Sequence, residues 1–216
     1  MKRRMTLSKQ RIDEKQRLHE MSALERPYWQ RGELVCGMDE AGRGPVAGPV
    51  VAAAVIMPPN CLIEGVNDSK KIGEAKRERL FKEITKAAIG WNVGVVDNRE
   101  IDEVNILNAA KRAFGIAFRG LLIAPAFVYT DRIGGIDIDT VYEELTGGDA
   151  RCYSVAAASI VAKVWRDRLM RQYDEKYPEY GFAQHKGYGT AAHKAAVAAH
   201  GVCDIHRMSF LTRWEK

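Results

Sequence analysis

Three features that would place a chain quickly are missing here. The four cysteines, Cys36, Cys61, Cys152 and Cys203, are scattered and form no C-x-x-C pair, so neither a zinc knuckle nor a dithiol redox motif is indicated. Cys36 and Cys152 lie in apolar runs and are expected to pack as small hydrophobes in a reducing, cytoplasmic setting. No stretch approaches the ~18 uncharged apolar residues of a membrane span. The basic start, Met1–Lys9, lacks the apolar region that would follow in a signal peptide. Internal repeats and low-complexity segments are absent too, which argues against a solenoid or a disordered array.

What remains describes one compact domain with room for a short appendage: 216 residues, 46% hydrophobic and 28% charged. The 33 Lys and Arg against 28 Asp and Glu leave +5, which permits a polyanionic partner without requiring one. A monomer is the expected state.

Residues 1–30 are polar, with Ile12, Leu18, Met21 and Leu24 at loosely helical spacing, and read as a helical or flexible extension ending near Pro27. Residues 31–216 read as the catalytic domain, with a C-terminal helical segment from about 181. Apolar runs at Leu34–Asp39, Pro49–Met57, Trp91–Val96 and Pro125–Asp131 predict strands. Helical period marks Glu74–Ile89, Asn105–Leu121, Val155–Tyr173 and Thr190–His200. A fifth strand has one good position, Thr140–Leu145, where Glu143-Glu144 reads equally well as helix. The order implies an α/β fold: a mixed five-stranded sheet flanked by helices.

Two strands end in acids, at Asp39–Glu40 and at Asp131, and Asp149 follows Gly147-Gly148 just before a long helix. Strand ends are where functional groups collect in open α/β sheets, although any one acid could simply cap a turn. Carboxylates without a histidine or cysteine cluster suit hard ions such as Mg²⁺ or Mn²⁺. Two such ions about 4 Å apart would suit phosphodiester hydrolysis. Asp137, Asp139 and Asp167 are fallback ligands, expected to cap or pair at the surface.

The motifs M-D-E-A-G-R-G-P at Met38–Pro45, N-D-S-K-K at Asn67–Lys71, N-I-L at Asn105–Leu107, A-A-A-S-I-V-A-K-V at Ala156–Val164 with Arg166–Asp167, and H-K-G-Y-G-T at His185–Thr190 resemble the ribonuclease HII family, in the family's order. The resemblance covers roughly residues 33 to 210. It implies a ribonuclease H-like fold, a four-carboxylate, two-metal site at Asp39, Glu40, Asp131 and Asp149, and incision 5′ of a ribonucleotide in duplex DNA or an RNA–DNA hybrid. The products would carry a 3′-hydroxyl and a 5′-phosphate. Gly42, Arg43 and Gly44 look like the loop that reads the ribose 2′-hydroxyl, and Tyr188 like the tyrosine that stacks under the following deoxyribose. Ser159 and Lys163, four apart on one helical face, look like phosphate contacts. Asn67, Ser69 and Lys70 form a polar turn suited to phosphate. Arg166 stays open between a phosphate contact and a solvated helix charge; His185 would order the site.

There are departures from the pattern. Gly147 stands where the family usually has lysine, leaving the field at Asp149 less positive, and Arg132 replaces the usual glycine after Asp131. Ribonuclease HIII shares the fold but has a large N-terminal domain, for which thirty residues are too few. A catalytically silent nucleic-acid-binding protein is the rival of another class; clustered acids without metal would repel phosphate. A sliding-clamp contact finds no motif in Ser209–Lys216.

Overall fold

The computed structural model describes residues 13–212 of the 216. Met1–Lys9 and the last four residues of the tail lie outside that range. Five strands, β1 (Val35–Ala41), β2 (Val50–Ile56), β3 (Gly90–Val96), β4 (Phe127–Asp131) and β5 (Tyr142–Leu145), form one sheet in the order β3-β2-β1-β4-β5. β1 and β2 are antiparallel, as are β2 and β3; β4 runs parallel to β1, and β5 parallel to β4. The sheet is therefore mixed, as the ribonuclease H-like expectation requires, and β5 is a strand. Its second glutamate, Glu144, accepts the Gly134 and Gly135 amides, so the chain ahead of β5 is tied down by the residue that made helix equally plausible.

Helix α1 covers residues 13–21 and is followed by α2 (Arg26–Gln30), α3 (Glu74–Ala87), α4 (Asn98–Val104), α5 (Ile106–Arg119), α6 (Gly148–Arg151), α7 (Tyr153–Lys176), α8 (Phe182–His185), α9 (Ala191–His200) and α10 (Met208–Leu211). A 3₁₀ turn spans Ser69–Lys71. None of the described helices is long and apolar enough to cross a membrane. Seven-residue α4 went unseen because Ile101 is its only buried residue, too little for a period. Asn105, at φ +68°, then breaks the chain and caps α5 by accepting the Leu107 and Asn108 amides.

Side chains alternate across a strand, and β2 shows how both faces are filled. Ala52, Ala54 and Ile56 pack with α5 residues such as Ala113 and Phe114, while Ala53 and Val55 pack with α3 and the alanine-rich start of α7. On β1, Gly37 lies directly under α7. A Cβ there would sit 2.0 Å from the Ser154 carbonyl carbon, so this helix can approach only where a side chain is missing.

Of the N-terminal extension, α1 buries Leu18 and Met21 in the α3–α7 layer, and Tyr28 stacks on Phe127 at 4.9 Å. Glu25 is fully buried. Its Oε1 accepts the Ser154 amide at 2.8 Å and the Cys152 thiol at 3.2 Å, giving α7 the N-terminal acceptor that its own cap residue lacks. Burial pushes this carboxyl above its usual range.

Candidate active site

Parallel pairing of β1 with β4 ends at Met38 opposite Thr130, so Asp39 and Asp131 come next where the two strands part, Asp39 still paired with β2 and Asp131 with β5. Asp131 Oδ1 accepts the Gly148 amide at 2.9 Å, which fixes the turn carrying Asp149. Gly147 takes the left-handed conformation there (φ +67°, ψ +41°), one that glycine adopts without the cost lysine would meet. Lys70 Nζ lies 3.6 Å from Asp149. Burial pulls Lys70 down, but Asp149, Asp39, Asp68 and Asp131 outweigh it and hold the ammonium above its usual value.

The acids are under strain from their own charge. Burial, then the neighbouring Glu40 and Asp131, pushes Asp39 well above the carboxylate range. Burial also raises Glu40, despite Arg43 at 3.3 Å. Asp149 is raised by burial and then by Asp68. Among the described residues no three His, Cys, Asp or Glu are already drawn into a cage. Even so, the donors are all oxygen and Glu40 Oε2 is buried with no hydrogen-bond partner. A hard divalent cation would relieve both the repulsion and the orphaned oxygen, so the residues fit Mg²⁺ or Mn²⁺.

A cleft of about 330 Å³ opens beside these acids. It brings together Glu40, Gly42, Arg43, Gly44, Ser69, Lys70, Asp131, Ser159, Lys163 and Tyr188. Asp39 lies buried behind it, and Asp149 beside Lys70. Asn67 is not drawn in: its side-chain oxygen accepts the Asp68 amide, and it lines a neighbouring groove with Lys71. Ser159 and Ser69 hydroxyls meet at 2.8 Å, joining α7 to the 3₁₀ turn. Tyr188 is half-exposed, its ring 3.6 Å from where a Cβ on Gly44 would be.

Two expectations are corrected. Asp167 is not a surface acid: it is 2% exposed and pairs with Lys163 at 2.6 Å and Arg77 at 3.8 Å, positioning both cations. Arg166 is neither solvated nor free for phosphate. It is 1% exposed and donates to the carbonyls of Pro49, Lys186 and Ala47. Asp137 and Asp139 are exposed, as expected. Sequence reading missed Arg207, whose buried guanidinium donates to the carbonyls of Gly42, Arg43, Pro45 and Gly48. Nothing in the polar neighbourhood of Arg207, with Asp204, His206 and Ser209 close by in sequence, marks it as buried.

Behind Tyr188 lies a histidine cluster. His193 Nδ1 meets the Tyr188 carbonyl at 3.0 Å, and so carries the proton. His206 Nδ1 accepts the Cys203 amide, so its Nε2–H donates to His193 Nε2 at 3.1 Å. His185 stacks on His193 with centroids 4.4 Å apart. Both His193 and His206 must be neutral for this chain to hold. Burial, with the cationic forms of His185 and His206 adding to it, brings His193 down to about 4. The unfolded chain binds that proton below about 6.5 and the native state does not until about 4, so stability falls as pH drops through this window. The loss is on the order of 3 kcal/mol. Equilibrium unfolding from pH 7 to 4.5 checks this: His193→Asn is expected to flatten the slope, and an equal slope in both proteins counts against the cluster as its source.

The family model described as Ribonuclease HII matches residues 36–213. A Ribonuclease HII of Acetivibrio thermocellus is 53% identical over 192 residues, covering 88% of this chain and 75% of that one. The ribonuclease H2 structure from Pyrococcus horikoshii superposes with a TM-score of 0.72 at 28% identity, over 84% of this chain and 96% of the other. A PCNA:RNase HII complex from Archaeoglobus fulgidus gives 0.63 at 30% identity, over 82% and 94%.

Proposed function

The chain belongs to the ribonuclease HII family and is an RNase H endonuclease; from that premise we propose that it nicks duplex DNA on the 5′ side of an embedded ribonucleotide and cuts the RNA strand of RNA–DNA hybrids. Its role would be removal of misincorporated ribonucleotides in the cytoplasm, acting as a monomer. The reading rests on one observation above all: the 42–44 loop, Tyr188 and the acidic strand ends share a single cleft. Family membership supports this reading over the ribonuclease HIII-like and silent-binder alternatives.

In this proposal Asp39, Glu40, Asp131 and Asp149 hold two Mg²⁺ or Mn²⁺ ions. The ions, when bound, supply an activated water and neutralise charge on the departing 3′-oxygen. The residues do the rest. Lys163, held by Asp167, and Ser159 bind the backbone phosphates, with Ser69, Lys70 and the Asn67 turn extending that contact along the strand. Tyr188 offers a flat face to the deoxyribose that follows the ribonucleotide. Gly42, Arg43 and Gly44 read the 2′-hydroxyl. Contact with a PCNA-type clamp is included on the strength of the A. fulgidus complex alone.

The test is a DNA duplex carrying one ribonucleotide, incubated with Mg²⁺, Mn²⁺ or chelator, with the cut mapped. A metal-dependent nick immediately 5′ of the ribonucleotide, leaving a 3′-hydroxyl and 5′-phosphate, is expected. Cleavage of long hybrids alone would overturn the junction reading.

A further inference from the structure

The loop between β1 and β2 is built with its carbonyls turned inward, and the groups that turn them are two arginines. Arg207 and Arg166 are the two largest fully buried side chains among the described residues. Arg207 Nε donates to Gly48 O at 2.9 Å, Nη1 to Arg43 O and Pro45 O at 3.1 and 2.7 Å, and Nη2 to Gly42 O at 2.7 Å. Arg166 continues the row to Ala47, Pro49 and Lys186. Among the described residues neither has a carboxylate at ion-pair distance, so backbone carbonyls, with the Phe210 ring over Arg207, supply most of the solvation of two desolvated cations. Such an arrangement is costly unless most donors are used.

In a trans peptide the C=O of one residue and the N–H of the next point to opposite sides. With the carbonyls of Gly42 and Arg43 turned in to Arg207, the amides of Arg43 and Gly44 face away from it. Among the described residues neither amide has a hydrogen-bond partner, whereas the Val46 and Gly48 amides are used by Gly187 and Ile205. Gly44 carbonyl precedes Pro45, which has no N–H to present, and it is one that Arg207 does not take. Both donors belong to residues that line the cleft, Gly44 beside the Tyr188 ring.

We propose that Arg207, seconded by Arg166, is a positioning residue for recognition of the ribonucleotide, by aiming the Arg43 and Gly44 amides at the substrate's 2′-hydroxyl. This rests on the junction reading above. A lysine presents three donors on a point charge and cannot span the four carbonyls that the guanidinium fork reaches. Arg207→Lys is therefore expected to lose, about tenfold, the parent's binding preference (ratio of Kd values in chelator) for a duplex carrying one ribonucleotide over the same duplex in all-DNA form. The Val46 and Gly48 amides, bonded in the parent, should exchange with deuterium faster while those of α7 keep the parent's rates.

A merely structural role would weaken binding of both duplexes equally; an unchanged ratio in a folded variant overturns the inference. If Arg207→Lys does not fold, Arg166→Lys is read by the same ratio and the same exchange: a selective loss supports the inference and an unchanged ratio overturns it. Failure of the parent enzyme to nick at a single ribonucleotide would instead remove the junction reading itself. An unchanged ratio in variants of a parent that does nick there removes only the arginines' role.

Discussion

Asp39→Asn should lose nicking activity by about a thousandfold or more, which corresponds to roughly 4 kcal/mol of transition-state stabilisation, and should melt no lower than the parent in chelator. Both halves follow from where Asp39 sits. It is 4% exposed, at the end of β1, with Glu40 and Asp131 adding their charge to the cost of its burial. Asparagine has the same shape and can keep the acceptor for the Glu40 amide, which Asp39 Oδ1 takes at 2.8 Å. What it removes is one negative charge. Without metal that charge is a burden, so relief on the order of 1 kcal/mol is expected. In the proposed metal-loaded site the charge would be a ligand, and its loss would empty the site of function. Single-turnover cleavage with Mg²⁺ and a melting curve in chelator read the two effects separately. Near-normal cleavage would sink the carboxylate assignment; a lower melting point would sink the account of repulsion.

The second large effect concerns the fold rather than the chemistry. Gly37→Ala adds one methyl group, yet that methyl would lie 2.0 and 2.2 Å from the carbonyl carbon and oxygen of Ser154 and 2.3 Å from the Val155 nitrogen. These are backbone atoms in the first turn of a buried helix, with no rotamer to give way. Either α7 lifts off β1 or the strand bends. Both open the layer that holds Ser159 and Lys163 against the acids. A loss of more than about 4 kcal/mol is expected, at the far end of the range for single substitutions. Urea unfolding of soluble Gly37→Ala measures it; a shift under about 1 kcal/mol would show that the helix can move freely.

Much of the site was legible because the chemistry sits at ends of strands that the apolar runs already delimit. Asp39 and Asp131 close such runs, and parallel pairing brought them level. The turns were legible through glycine and through the resemblance. Arg166 and Arg207 were not, for a physical reason. A buried cation satisfied by carbonyls has no partner side chain to reveal it, and nearly all of those carbonyls lie far earlier in the chain. Asp167 was misjudged on the same ground: acids on a helix are normally solvated, and only packing of α3 against α7 brings Arg77 across to it. Asn105 hid a positive φ that glycine would have announced, and Asn67 spent its side chain on its own turn.

The cap that Glu25 places on α7 separates two boundaries that are easily taken as one. The recognisable family match begins at residue 36, whereas the carboxylate closing the first turn of α7 comes from residue 25. A protein trimmed to the recognisable part would keep every acid of the cleft. It would also leave the Ser154 amide and the Cys152 thiol facing an empty, water-accessible hole, a few residues beyond Asp149. The working unit therefore reaches back at least to the buried acceptor at residue 25, eleven residues before the family model begins to match.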